Sequence, residues 1–341
     1  MAGARAWVNR ILYTVTGFDH QAVLIFFVLS GFFIGSSIFR GVARGTWSWR
    51  NYAVDRGSRL YVVLIPAAIL GVACDRLGMA LFNGSGIYSH PLTGFEPLLP
   101  ANGLTVVSFA GTLLFLESRF TPVLGSNGGL WTLFCEFWFY VLFPALLGAL
   151  LSLRRRSFGP AAVQLILAAV TIWILRYTWG GFLIWLSGAA VALTANYLRF
   201  GDSRRWIRLL YGAGTGAIFS ASLASTRVGH AWPGGDLTLA LSFALVLHGA
   251  VQFRLPTGSF GLMLASRAAG FSYSLYLLHF PLLLLIRAAV TPASRWQPDP
   301  VHLAYWTAIV AATLVYAHWV ARLTEWHTPA VRTWLRREIG A

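Results

Sequence analysis

Glu136 stands in an aromatic run, between Phe134 and the sequence Phe137-Trp138-Phe139-Tyr140. A carboxylate there has to be paired, hydrogen-bonded or protonated, because desolvating a bare charge is expensive. His279 lies in a second apolar stretch, Ser272-Tyr273-Ser274-Leu275-Tyr276-Leu277-Leu278-His279-Phe280-Pro281. Helical spacing puts Ser272, Tyr276 and His279 on one face, with Pro281 poised to bend the helix just beyond the imidazole. Arg56 and Arg59 are one turn apart, and two guanidiniums on one face suit a phosphate-bearing ligand. Asp19 and His20 open the first long apolar run, residues 22–39. Each group also has a plainer reading. Glu136 could be locked to a neighbouring arginine, His279 could be a hydrogen-bonded helix residue, Arg56 and Arg59 could be topology anchors, and Asp19 could be a cap.

Composition decides what must hold these groups. Of the 341 residues, 57% are hydrophobic and 11% charged, and mean hydropathy is +0.65. One soluble core of this size cannot bury that much apolar surface, so lipid is the expected solvent. The net charge is +15, carried entirely by arginine with no lysine. The arginines fall between apolar runs, which is the pattern of cytoplasmic loops and argues against nucleic acid as a partner. Cys74 and Cys135 sit in apolar runs without ligand-like spacing and read as buried thiols, so neither a disulfide nor a metal site is expected.

The fold class that follows is all-α, a polytopic integral membrane helix bundle forming a single domain over 1–341. Apolar runs occur at 22–39, 60–82, 103–118, 129–151, 160–175, 181–197, 209–225, 237–251, 270–290 and 301–322. Each is about long enough for a ~30 Å hydrocarbon layer, with 103–118 the shortest. Arginines at 40–59, 154–156, 199–208, 254–267 and 322–337 all belong on the cytoplasmic side. An even number of crossings must then separate 40–59 from 154–156. The segment 103–118 is therefore expected to be re-entrant or interfacial, leaving about nine spanning helices. Residues 1–21 become an exterior lead-in and 323–341 a cytoplasmic tail.

Four stretches, in order, resemble membrane acyltransferase family 3. Phe26–Ile34 resembles that family's "FFVLSGFLI" signature, and Arg56-x-x-Arg59-Leu-Tyr with Pro66 resembles its "RxxRIyP". Gly129–Pro144 is similar to "LWSLxxExxFYxLFP", and Ser272–Pro281 to "SYSLYLLHxP". The family has ten membrane helices with a histidine regarded as catalytic on the first, and the run at 22–39 resembles its second. Residues 10–20 are too short and polar to be the first. Either the reading frame begins upstream of Met1, or this is a relative without that helix.

The resemblance implies an O-acyltransferase of the bacterial inner membrane that modifies a hydroxyl of a surface polysaccharide or lipid-linked sugar. A relative that binds or passes a glycan or lipid without catalysis is the alternative. The implied donor is cytoplasmic acyl-CoA, with acetyl the expected acyl group, and its phosphates would dock at Arg56 and Arg59. Such a transfer needs a base for the hydroxyl proton and donors for the oxyanion. His279 and Glu136 are the expected catalytic groups, with His20 and Tyr276 towards the acceptor. The expected partners are the lipid bilayer and a carbohydrate or lipid-linked glycan.

Overall fold

The computed structural model describes residues 17–88, 100–195, 205–226, 235–253, 260–290 and 299–340. The described residues form twelve α-helices in this order: α1 Asp19–Ala43, α2 Trp49–Leu81, α3 Val106–Leu113, α4 Trp131–Arg154, α5 Phe158–Ile174, α6 Trp179–Thr194, α7 Arg205–Ser225, α8 Gly235–Gln252, α9 Phe260–Ala269, α10 Ser272–Val290, α11 Pro300–Leu323 and α12 Thr328–Ile339. Among the described residues there is no β-strand, only an isolated bridge between Glu117 and Thr121. The all-α membrane bundle expected from composition is therefore the architecture found. Among the described residues, six segments are long and apolar enough to cross a membrane: 19–43, 49–81, 128–154, 235–252, 272–290 and 300–339. Two more apolar helices, 158–174 and 179–194, are shorter.

The chain divides into two compact units, one of residues 1–47 with 135–257 and the other of 48–134 with 258–341. In the first unit α1 and α6 lie backbone against backbone. A Cβ on Gly31 would collide with the Trp185 carbonyl oxygen, and one on Gly188 with the Val28 carbonyl oxygen. Gly35 meets Ala189 and Ala192 in the same way, at 3.1–3.5 Å. Contacts advance together along both chains, so the helices run parallel. Without water to drive association, such small-residue seams are how helices gain contact in lipid.

In the second unit α2 is 33 residues long, about 50 Å, which exceeds the hydrocarbon thickness. Its start carries the expected phosphate-type pair and a docking point for the C-terminus. Arg336 donates to Asp55 at 2.7 Å, and Arg50 donates to the Gly340 carbonyl at 2.9 Å. The stretch expected as a plain tail is thus a helix, α12, packed at the arginine-bearing end of α2. Helix α10 runs parallel to α2: Tyr273 donates to the Leu60 carbonyl, Pro281 rests on Gly71, and Leu284 and Ala288 pack with Tyr88, Met79 and Phe82.

Residues 103–125 form a hairpin beside α2. At one end Gly103 abuts Val123 and Gly125, and Gly125 abuts Asp75. Midway, Gly111 packs on Thr121. At the tip the Tyr61 hydroxyl donates to the Leu113 carbonyl at 2.7 Å, and the Tyr61 and Phe115 rings stand 5.6 Å apart. Asp75 and Tyr61 are fourteen positions apart on α2, so the hairpin descends and returns by roughly 20 Å. It leaves on the side it entered, the behaviour expected of a re-entrant segment. Phe115 and Ser118 take left-handed backbone at the reversal, φ 52° and 61°. Hydrogen bonds close the tip: Leu116 N–H to the Gly111 carbonyl, Ser118 N–H to the Thr121 carbonyl and the Thr112 hydroxyl to Glu117.

Helix α1 starts before the apolar run at 22–39 does. Helix α1 begins at Asp19 with Phe18 in the N-cap position and no side-chain capping bond, so Asp19 and His20 belong to the helix rather than to a lead-in. Residues 1–16 of that lead-in lie outside the described residues. Both cysteines are free, Cys135 buried and Cys74 partly so.

Candidate functional site

In the second unit the turn before α4 is fastened to α10. Pro281 has no N–H, which leaves the carbonyl four residues earlier, that of Leu277, without its helical donor. Asn127 fills the gap, its Nδ2 donating to Leu277 O at 2.8 Å. From the preceding residue the Tyr276 hydroxyl donates to the Gly129 carbonyl at 2.7 Å and lies 2.5 Å from the Thr132 hydroxyl. Tyr276, expected on the acceptor side, thus has its hydroxyl engaged with the Gly128-Gly129 turn.

His279 follows these fasteners on α10, two residues beyond Leu277. Its Nδ1 lies 2.7 Å from the Tyr276 carbonyl oxygen and 3.2 Å from that of Leu275. A carbonyl only accepts, so Nδ1 must carry the proton and donate. In the neutral ring this leaves the lone pair on Nε2. Backbone geometry therefore selects a tautomer with its basic nitrogen pointing away from its own helix turn.

Arg56 and Arg59 are near the start of α2. The Arg56 guanidinium carbon is 5.7 Å from the Tyr52 ring centroid, a cation–π distance. Its Nε is shielded from solvent and has no hydrogen-bond partner among the described residues. Arg59 is exposed. A half-buried guanidinium with an unmatched N–H and an exposed neighbour one turn on can take an anionic oxygen.

Further along α2, Asp75 is 1% exposed. It accepts from the Ser126 backbone N–H at 2.7 Å. Gly125 has φ +56°, and a Cβ there would strike the Asp75 carboxylate. Tyr88, outside the spans, has its phenol pushed well above its usual range by burial and then by the nearby Asp75 charge.

In the first unit Glu136 is 4% exposed. The Ser30 hydroxyl donates to its Oε1 at 2.7 Å, and the Tyr140 hydroxyl donates to the same oxygen. Trp185 Nε1 in turn donates to Ser30 Oγ at 3.2 Å. Phe27, Phe139, Phe182 and Trp185 enclose the group with ring centroids 5.4–6.4 Å apart. The carboxyl is thus hydrogen-bonded by two hydroxyls. His20 is half exposed, and its Nε2 lies 3.0 Å from both carboxylate oxygens of Asp236 at the start of α8. His248 is buried, with Nδ1 3.1 Å from the Tyr211 hydroxyl.

The expected residues therefore fall into two groups. Arg56, Arg59, Tyr276 and His279 belong to the second unit, and His20 and Glu136 to the first. Sequence reasoning missed Asp75, although an acid in the middle of the 60–82 apolar run meets the same criterion that singled out Glu136. Ser30, inside the Phe26–Ile34 run, is the hub that joins Glu136 to Trp185.

A family model described as an acyltransferase domain matches residues 2–321, so the chain belongs to the acyltransferase family that its motifs resemble. Among curated proteins it is similar to Nodulation protein 10 of Rhizobium leguminosarum bv. viciae. The two are 24% identical over 293 residues, which covers 80% of this chain and 73% of that protein. No solved structure matches. The protein is thus a membrane acyltransferase.

Proposed function

We propose that this acyltransferase moves an acyl group, acetyl by preference, from cytoplasmic acyl-CoA to a hydroxyl of a surface polysaccharide or lipid-linked sugar. The observation that carries the reading is the tautomer of His279. With Nδ1–H held by the Tyr276 carbonyl, Nε2 is free to take the proton of an attacking hydroxyl. The hydroxyl oxygen bonds to the thioester carbonyl carbon, the C–S bond breaks, and the proton on Nε2 passes to the departing CoA thiolate.

Spacing on the second unit supports the same reading. Pro281 rests on Gly71, so His279 stands roughly 20 Å along α2 from Arg56. That separation is comparable with the reach of a pantetheine arm between a phosphate bound at Arg56 and a thioester beside His279. The arginine end of α2 is also where α12 docks, and we assign that end to the cytoplasm, as the arginine-rich loops require.

Membrane vesicles supplied with radiolabelled acetyl-CoA test the proposal. Arg56→Ala and His279→Ala should each lower incorporation into glycan or lipid by at least about a hundredfold while the protein still accumulates. Arg56→Lys should restore little, because a point charge does not replace a planar fork. Undiminished transfer by either alanine variant overturns the role given to that residue.

A further inference from the structure

The second unit contains a buried polar cluster that the acyl-transfer step does not use. Asp75 Oδ1, Ser126 Oγ, Asn127 Oδ1 and the Tyr88 hydroxyl are all shielded from solvent and without a hydrogen bond among the described residues. Their residues are 1%, 0%, 5% and 4% exposed. They belong to adjoining stretches of the second unit. Ser126 donates its backbone N–H to the other oxygen of Asp75. Asn127 follows directly and is pinned by its Nδ2 to α10. Gly78, one turn beyond Asp75, leaves the space that the Tyr88 ring fills.

Native interiors rarely leave so many polar atoms unmatched in one place. The set is also chemically selective. Asp75 Oδ1 and Asn127 Oδ1 can accept, the Tyr88 hydroxyl can donate, and the Ser126 hydroxyl can do either. A bare cation would use the acceptors and leave the phenol O–H unmatched. An alcohol hydroxyl both donates and accepts, and neighbouring hydroxyls on one carbon skeleton would satisfy several of these atoms together.

We infer that Asp75, Ser126 and Asn127, with Tyr88, form a binding site for a ligand bearing adjacent hydroxyls. That this ligand is the acyl acceptor rests on the function proposed above, while the site itself does not. Asp75 would hold a hydroxyl by a charge-assisted hydrogen bond, and Gly125 is required so that the loop can close on the carboxylate.

The probe is methyl β-D-glucopyranoside, with 2-methoxytetrahydropyran, the same ring without its hydroxyls, as control. The full chain in lipid nanodiscs is titrated with each while thermal unfolding is followed by tryptophan fluorescence. The glucoside should raise the transition temperature saturably and the ether should not. Asp75→Asn should weaken the apparent affinity about tenfold, as expected when a charged acceptor becomes neutral. Ser126→Ala keeps the backbone bond to Asp75 and should weaken it severalfold, so it remains informative if the Asp75 variant does not accumulate. A wild type indifferent to the glucoside, or variants that bind it as the wild type does, would mean that water alone fills the cluster and would overturn the inference. Binding of acetyl-CoA is measured on the same samples. Glucoside binding without CoA binding overturns the donor reading and leaves this site standing; CoA binding without glucoside binding does the reverse.

Discussion

The carbonyl oxygen of Trp185 occupies the place where a side chain on Gly31 would begin. Any larger residue at 31 must push α6 away, and the same holds for Gly188 against Val28. Gly31→Ala and Gly188→Ala should each cost about 1–3 kcal/mol, the usual range for overpacking. The loss should appear as a lower thermal transition and poorer accumulation in the membrane. Gly216→Ala, at a helical position with nothing within 4 Å, should leave both unchanged.

Gly45 and Gly125 separate backbone strain from collision. Both have positive φ, +68° and +56°, but Gly45 has open space around it whereas Gly125 faces the Asp75 carboxylate. Gly45→Ala should cost only the left-handed penalty of roughly 1–2 kcal/mol. Gly125→Ala adds displacement of the Asp75 loop and should be clearly more destabilising when the two are compared by thermal unfolding.

The Ser30 hub makes a third comparison. Ser30→Ala strands Trp185 Nε1 and removes one donor from Glu136. Leaving a buried group unmatched costs about 1–3 kcal/mol. Glu136→Gln keeps an acceptor oxygen for Ser30 and Tyr140 and should be far milder than Glu136→Leu, which orphans two hydroxyls. Equal losses for Gln and Leu would show that the negative charge, not the hydrogen bonding, is what the site requires.

Much of the fold was legible because lipid imposes a simple code. Long apolar runs with arginine at one end marked α1, α2, α4, α8, α10 and α11. Counting sides then forced 103–118 to return, and the Gly103, Gly111 and Gly125 contacts supply the physical means. Helices α9 and α12 were not foreseen, since one is short and the other carries Arg332, Arg336 and Arg337, whose reading as a charged tail hid a helix docked on Asp55. Of the site, Glu136, His279 and the arginine pair stood out by type. Their partners did not, because Asn127 meets α10 across 150 positions of sequence and Ser30 meets Trp185 across 155. Only the proline at 281 hinted that some donor must come to Leu277.

The hairpin at 103–125 also constrains how the protein is made. Its one helix, α3, has eight residues, about 12 Å, too short to be taken up as a transmembrane segment in its own right. Its resting places, the Tyr61 hydroxyl and the Asp75 loop seat, exist only once α2 is already embedded. Biogenesis is therefore expected to proceed in two stages, insertion of the long helices first and burial of the hairpin afterwards. A chain stalled between them would be correctly oriented across the bilayer yet still immature.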